Sequence, residues 1–159
     1  MDFVEEMLRL FRSLNKHGVE YIVIGGGAMN ILGLVRATED IDFFIRPNAD
    51  NVEKLKAALR EVWDDPHIDE ISAADLCGDY PSVRYGPPEG TLYIDILTRL
   101  GEFAGYDDLE WREVMLRDVP VRTATPRTLH WLKRGTVRAV DKADAQALKD
   151  VFDFENKED

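Results

Sequence analysis

Hydrophobic residues recur at helical spacing in two long stretches of the chain. In residues 3–16 and 50–63, apolar side chains lie three or four positions apart, with charged residues between them. This period places the apolar side chains on one side of a helix, so both stretches are predicted to be amphipathic helices. Gly18 follows the first stretch, and we expect it to end that helix.

Short segments rich in β-branched and aromatic residues predict the strands. The four clearest segments are residues 19–24, 40–46, 81–85 and 91–97. Two further runs predict a short hairpin around Arg117-Asp118; they are residues 113–116 and 120–123. Residues 100–112 fit neither a helix nor a strand pattern clearly.

Turn and capping residues organise the rest of the chain. A short helix, residues 28–34, is predicted after a glycine cluster, and Thr125-Pro126 supplies an N-cap and a first helical residue for a later one. A last helix is predicted at about 140–152, whereas the acidic stretch 64–80 has no clear period and is predicted to be irregular.

These elements predict one α/β (α+β) domain. We expect it to span residues 1–154, with residues 155–159 as a frayed tail. Its expected architecture is a mixed sheet of about four or five strands flanked by helices.

Composition adds limits on compartment and partners. The 159 residues are 45% hydrophobic and include a single cysteine, Cys77, so no internal disulfide can form and a reducing, cytoplasmic location is expected. The N-terminus has no basic region typical of a signal peptide. No apolar run approaches the roughly 18 residues that a membrane span needs, so no membrane partner is expected.

The charge is strongly acidic overall but locally basic. A net charge of −11 argues against extended nucleic-acid binding, which needs basic residues to neutralise phosphates. Residues 121–142 nevertheless contain six Lys or Arg and one acidic residue. This segment could bind a compact anion such as a triphosphate, or it could be a solvated helix surface; the charge pattern leaves both interpretations open.

Paired aspartates in the second predicted strand are the strongest candidates for chemistry. Asp40 and Asp42 lie two positions apart, so both carboxylates leave the same face of the strand. Two adjacent carboxylates repel each other, and a divalent cation between them relieves that repulsion. Mg²⁺ prefers such hard oxygen ligands and keeps substrate phosphates as further ligands.

Two other features strengthen this interpretation. The glycines Gly25, Gly26 and Gly27 follow the first predicted strand, where exposed backbone N–H groups could approach a phosphate closely. Asp95 is the one charge in an apolar strand, and a neighbouring position would let it reach the same cation; the alternative is a partner for a buried Arg. The glycine pattern matches neither a dinucleotide fingerprint nor a P-loop.

These motifs together resemble the DNA polymerase beta-like nucleotidyltransferase superfamily. The resemblance covers roughly residues 19–97. It rests on three segments, Ile24-Gly25-Gly26-Gly27-Ala28, Arg36-Ala37-Thr38-Glu39-Asp40-Ile41-Asp42-Phe43 and Tyr93-Ile94-Asp95-Ile96-Leu97. It is closer to small bacterial members, which include abortive-infection type II-like toxins, minimal nucleotidyltransferases and lincosamide nucleotidyltransferases. It continues more loosely over residues 125–148.

The resemblance implies an Mg²⁺-dependent transfer of a nucleoside monophosphate from an NTP to a hydroxyl of a small molecule, protein or RNA. By position, Asp40 and Asp42 would bind two metal ions, and Asp95 would be a metal ligand or the base. The glycines would hold the triphosphate. Further candidates for nucleotide binding are basic or hydroxyl side chains outside the glycine turn: Arg36, Thr38, Lys133 and Arg138.

One departure from the family pattern keeps alternatives open. Many active members have Gly-Ser where this chain has Gly26-Gly27, so a hydroxyl that would touch phosphate is missing. The alternatives are a non-catalytic nucleotide-binding module and a toxin–antitoxin subunit with the same fold. The chain is short for a substrate-specific enzyme, so we expect a dimer partner or the irregular stretch 64–80 to supply the acceptor site. The expected protein partner is a second copy of the chain or an antitoxin.

Overall fold

The computed structural model describes residues 3–31, 40–88, 92–100 and 104–134. Their helices are α1 (Phe3–Lys16), α2 (Gly25–Ile31), α3 (Ala49–Val62), α4 (Ala73–Leu76) and α5 (Pro126–Arg134). Their strands are β1 (Tyr21–Ile24), β2 (Asp40–Ile45), β3 (Ser82–Tyr85), β4 (Tyr93–Leu97), β5 (Arg99–Leu100), β6 (Ala104–Gly105), β7 (Trp111–Leu116) and β8 (Val119–Ala124). Two 3₁₀ turns complete the set, at Pro66–Glu70 and Tyr106–Asp108.

Six strands form one mixed sheet in the order β3-β4-β2-β1-β8-β7, and β5 and β6 form a separate ribbon. The pairs β2–β4 and β1–β8 are parallel, and the other pairs in the large sheet are antiparallel. The predicted mixed α/β architecture is confirmed, but the sheet is larger than the predicted four or five strands. The reason is that the β7–β8 hairpin joins the main sheet, where Val23 of β1 is paired with Thr123.

Helices α1 and α3 pack together over one face of the sheet. Phe11 of α1 stacks on Tyr21 with 5.9 Å between ring centroids, and Tyr21 meets Phe43 edge-on at 6.1 Å. The hydroxyl of Ser13 donates a 2.7 Å hydrogen bond to the carbonyl of Ala58, which ties the two helices together. This core fixes β1 and β2, the two strands that lead into the candidate site.

Most predicted elements appear with small shifts in their ends. Gly18 ends α1 with a φ of +71°, as predicted. The second helix begins on the glycines at Gly25 rather than at residue 28, because a positive φ at Gly25 turns the chain directly from β1 into the helix. Thr125 caps α5, since its hydroxyl accepts a 3.2 Å hydrogen bond from the backbone N–H of Thr128.

The stretch 64–80, predicted to be irregular, contains short helical turns. Asp65 accepts a hydrogen bond from the backbone N–H of His67 to start the 3₁₀ turn, and Ser72 does the same for Asp75 at the start of α4. Such turns are too short to show a hydrophobic period, so capping residues were their only sequence signal. The predicted helix at 140–152 and the tail at 155–159 lie outside the described residues.

None of the helices within the described ranges is long and apolar enough to cross a membrane.

Candidate active site

Strands β2 and β4 bring the three predicted carboxylates to one face of the sheet. The parallel register pairs Asp42 with Asp95 and Asp40 with Tyr93. Directly paired residues of neighbouring strands project to the same side, and so do residues two apart along one strand. Asp40, Asp42 and Asp95 therefore share what we call the carboxylate face. The prediction depended on β4 lying beside β2, and that adjacency is present.

The glycine turn meets this face at Asp42. Ile24, the last residue of β1, is paired with Asp42, so the chain reaches Gly25 directly beside that carboxylate. Gly25 has a φ of +70°, and a Cβ built on it would lie only 2.6 Å from Oδ2 of Asp42. The Asp42 carboxylate thus occupies the space that a side chain at Gly25 would need. Glycine is required there both for its φ and for this contact.

A guanidinium group bridges two of the carboxylates. Arg84 of β3 is paired with Asp95 in the antiparallel register, so it lies on the carboxylate face. One of its terminal nitrogens, Nη1, is 3.2 Å from Oδ2 of Asp95, and the other, Nη2, is 3.4 Å from Oδ2 of Asp40. Sequence analysis had not identified Arg84. A signal existed, because Asp95 and Arg84 occupy facing strands of a recognisable hairpin.

The bridge is solvent-accessible, which differs from the alternative considered for Asp95. The Arg84 side chain is 52% exposed, compared with 40% for Asp40 and 29% for Asp95. Arg84 is therefore a partner of Asp95, but not a buried one. Ion pairs with this exposure contribute roughly 0–1 kcal/mol each, so the guanidinium is held weakly.

The aromatic ring of Tyr93 packs against the Arg84 guanidinium. The central carbon of the Arg84 guanidinium lies 4.5 Å from the centre of the Tyr93 ring, which is a cation–π distance. The ring itself rests against Gly86, where a Cβ would lie 2.8 Å from Cε1 of Tyr93. Because Gly86 has no side chain, the Tyr93 ring can lie in this position next to the carboxylate face.

Strand β3 is anchored from its opposite side by Tyr85. The Tyr85 ring packs against Trp63 at 5.9 Å, and its hydroxyl donates a 2.8 Å hydrogen bond to Oδ2 of Asp65. Burial and the Asp65 carboxylate raise the pKa of the Tyr85 phenol, which therefore stays a neutral donor. The backbone N–H of His67 and the Tyr85 hydroxyl lower the pKa of Asp65. These contacts anchor β3, the strand that carries Arg84.

The carboxylate face has the chemistry of a cation site without a preformed metal cluster. Within the described residues, no group of three or more His, Cys, Asp or Glu side chains is arranged to hold a metal ion. The oxygens of Asp40 and Asp95 nevertheless hold a cation already, the Arg84 guanidinium. Carboxylate oxygens are also the donors that Mg²⁺ prefers. The carboxylate oxygens therefore fit Mg²⁺ as ligands once the Arg84 guanidinium has moved away from Asp40 and Asp95.

Of the other predicted site residues, some lie in described elements and the rest lie outside the described ranges. Gly26 and Gly27 continue α2 from Gly25, and a Cβ on Gly27 would lie 3.8 Å from the carbonyl oxygen of Asp40. Lys133 belongs to the last turn of α5, and no position is described for its side chain. The nucleotide-binding candidates outside the described ranges are Arg36, Thr38 and Arg138.

Comparison with protein families gives a match over nearly the whole chain. The sequence model of a family described as "Nucleotidyl transferase AbiEii toxin, Type IV TA system" matches residues 8–155. Among curated proteins, none matches the chain by sequence.

Solved structures share the fold at low sequence identity. The chain is similar to ANT(2″)-Ia in complex with adenylyl-2″-tobramycin, with a TM-score of 0.60, 12% identity and coverage of 96% of this chain and 91% of that one. A solution structure of the antibiotic-resistance factor ANT(2″)-Ia gives a TM-score of 0.53, 14% identity and coverage of 98% and 95%. An antigenic nucleotidyltransferase-like protein from Paracoccidioides brasiliensis gives a TM-score of 0.55 and 14% identity, with coverage of 94% of this chain and 76% of that one. At these identities the likeness concerns the fold alone.

Proposed function

Because the chain belongs to the AbiEii nucleotidyl transferase toxin family, we propose that it transfers a nucleoside monophosphate from an NTP to a hydroxyl acceptor, with Asp40, Asp42 and Asp95 as its Mg²⁺-dependent centre. The observation that carries this proposal is the register of β2 and β4, which puts all three carboxylates on one face beside the Gly25 turn. The family supports nucleotidyl transfer and a type IV toxin–antitoxin context.

Asp40, Asp42 and Asp95 are the residues that would hold Mg²⁺. Bound there, the ion would neutralise charge on the phosphates and orient them for displacement. The chain's own part is to keep these carboxylates together, which the sheet does through backbone pairing. Two ions fit the proposal better than one, since three carboxylates carry more negative charge than a single divalent cation balances.

The proposed reaction is a displacement at the α-phosphorus of the NTP, with Asp95 as the base and pyrophosphate as the leaving group. The acceptor oxygen attacks the α-phosphorus of the NTP, and the bond from that phosphorus to the bridging oxygen breaks, so that pyrophosphate leaves. The proton of the acceptor hydroxyl goes to a carboxylate oxygen of Asp95, the member of the trio that comes from a separate strand. Transfer of this kind depends mainly on positioning and charge neutralisation.

The glycine turn is our candidate for the phosphates. Side chains are absent at Gly25, Gly26 and Gly27, so the backbone there can approach an anion closely. Arg36, Thr38, Lys133 and Arg138 would supply further donors, with Arg138 as a planar fork and Lys133 as a point charge. Lys133 and Arg138 belong to the basic stretch 121–142, which would give this acidic protein a local site for a triphosphate.

One sequence feature favours a second candidate, a non-catalytic nucleotide-binding or toxin–antitoxin subunit. Gly26-Gly27 offers no side-chain hydroxyl where many active relatives have one. Such a subunit would bind nucleotide and release no pyrophosphate. In either case we propose a cytoplasmic protein whose partner is a second copy of the chain or an antitoxin; the type IV toxin–antitoxin description of the family supports the antitoxin.

Thermal melting with nucleotide tests the proposed centre. NTP with Mg²⁺ is expected to raise the melting temperature of the protein, and Asp42→Asn to abolish that gain. Asp64→Asn is the matched control, because Asp64 is an exposed aspartate outside the carboxylate face. A gain that Asp42→Asn leaves intact would refute the site.

Catalysis is tested separately, with α-labelled NTPs and bacterial small-molecule, protein and RNA fractions as acceptors. The wild-type protein is expected to transfer label to an acceptor and to release pyrophosphate, whereas Asp95→Asn is expected to do neither. Binding of NTP with no transfer to any fraction would favour the non-catalytic alternative.

A further inference from the structure

We propose that Arg84 is a built-in counter-ion that competes with divalent metal for Asp40 and Asp95, and that metal binding displaces it. This inference rests on the proposed metal centre, and it concerns a residue that the family motifs do not include. It assigns Arg84 a regulatory role over the centre. In the absence of metal, the guanidinium neutralises the carboxylate face; in its presence, the guanidinium moves aside.

The geometry of the bridge supports competition rather than simple surface pairing. The two terminal nitrogens of Arg84 contact different carboxylates, Asp95 at 3.2 Å and Asp40 at 3.4 Å. A single cation therefore spans the two strands and relieves the repulsion between their charges, as a metal ion would. A divalent ion on the same oxygens would repel the positive guanidinium, so the two cations exclude each other.

The guanidinium is held loosely enough to leave. Its side chain is about half exposed, at 52%, and its distances to oxygen exceed the 2.7–2.9 Å of strong charged hydrogen bonds. Water can therefore replace the carboxylates as partners when the guanidinium moves. An exposed pair contributes little free energy, so the exchange is reversible.

A displaced Arg84 guanidinium can remain in contact with the Tyr93 ring. The guanidinium already lies over the Tyr93 ring at 4.5 Å, and that ring packs directly against Gly86. Arg84 can lose both carboxylates and still keep this stacking contact. The motion needed is a rotation about side-chain bonds, because β3 itself is anchored through the hydrogen bond between Tyr85 and Asp65.

Metal titration of the purified protein tests the inference. Mn²⁺ serves as the probe, with binding followed by electron paramagnetic resonance and calorimetry in wild type and Arg84→Gln. We expect Arg84→Gln to bind Mn²⁺ about three- to tenfold more tightly, as expected for the loss of two competing exposed ion pairs. Arg84→Lys keeps the positive charge and is expected to stay closer to wild type.

Arg122→Gln is the matched control. Arg122 also stacks on an aromatic ring, that of Trp111 at 4.9 Å, but it comes from β8 rather than from β3 beside Asp95. Its substitution is expected to change Mn²⁺ affinity less than twofold. A rise in affinity for this variant equal to that for Arg84→Gln would attribute the effect to net charge and overturn the inference.

Melting without metal supplies an independent readout. In a chelator, Arg84→Gln is expected to melt below wild type, because its carboxylates lose their counter-ion. Saturating Mn²⁺ is expected to remove that difference, since Arg84 no longer touches them. A deficit that persists unchanged in saturating Mn²⁺ would make Arg84 a purely structural residue and overturn the inference.

The outcomes separate this inference from the proposed function. If wild type binds Mn²⁺ through Asp42 and Arg84→Gln binds equally or less tightly, the counter-ion role fails and the metal centre stands. If Arg84→Gln alone binds measurably, competition is supported in its strongest form. If neither protein binds Mn²⁺, the metal centre and the counter-ion role both fail.

Discussion

Replacing Gly25 by alanine should disturb both the backbone turn and the Asp42 carboxylate. Gly25 has a φ of +70°, which costs an alanine about 1–2 kcal/mol. The added Cβ would lie 2.6 Å from Oδ2 of Asp42, although ordinary contacts begin at 3.4 Å. Moving the carboxylate out of its rotamer adds about 0.5–1.5 kcal/mol, and any backbone shift adds more. The total is about 2–4 kcal/mol.

Gly18→Ala separates these two contributions. Gly18 has nearly the same φ, +71°, but no atom lies within 4 Å of the position its Cβ would take. We expect Gly18→Ala to lower the melting temperature by roughly 2–8 °C and Gly25→Ala by roughly 4–16 °C, using about 2–4 °C per kcal/mol for a protein of this size.

Scanning calorimetry measures the two shifts, and Mn²⁺ titration asks whether Asp42 has moved. Only Gly25→Ala is expected to weaken Mn²⁺ binding, because only this Cβ meets a carboxylate of the proposed centre. Equal melting shifts in the two variants, together with equal Mn²⁺ affinities, would refute the contact between Gly25 and Asp42 as a determinant of the site.

Contacts elsewhere in the fold give three more expected outcomes. Asn51→Ala removes buried hydrogen bonds to backbone groups of Glu20 and Arg46, and it should lower the free energy of unfolding in urea by about 2–4 kcal/mol. Thr125→Ala should cost about 1 kcal/mol in the same assay through loss of the α5 cap, and Thr125→Ser should restore most of it. Burial raises the pKa of Tyr21 to about 12 from 10.0, so the folded state keeps a proton that the unfolded state loses. Stability should therefore fall as pH rises through that interval, by up to about 1.4 kcal/mol per pH unit, and Tyr21→Phe should make the fall shallower. An equally steep fall in that variant would contradict the assignment.

Local sequence signals accounted for most of the elements. The helical periods over 3–16 and 50–63 correspond to α1 and α3, and the hairpin around Arg117-Asp118 corresponds to β7 and β8. The capping signal at Thr125 placed the start of α5. These predictions succeed because period, turn and cap each depend on residues a few positions apart.

Long-range pairing was beyond such signals. The number of strands in the main sheet was underestimated, because nothing local indicates that β8 pairs with β1 across about 100 residues. The short turns in 64–80 were missed because a single helical turn has no period. Arg84 was missed for a different reason, because both strands of its hairpin were predicted but their register was not. Its role depends on which residue faces it across the β3–β4 hairpin.

By itself, the sequence determined that Asp40 and Asp42 point the same way, since side chains alternate along any strand. It also determined that a glycine turn precedes them and that one charged residue, Asp95, interrupts an apolar strand. Only the tertiary structure decided that Asp95 is paired with Asp42 and that the Gly25 turn meets the Asp42 carboxylate. It alone placed the Arg84 guanidinium between Asp40 and Asp95. The physical reason is that strand alternation is local, whereas register is fixed by backbone hydrogen bonds and packing between distant segments.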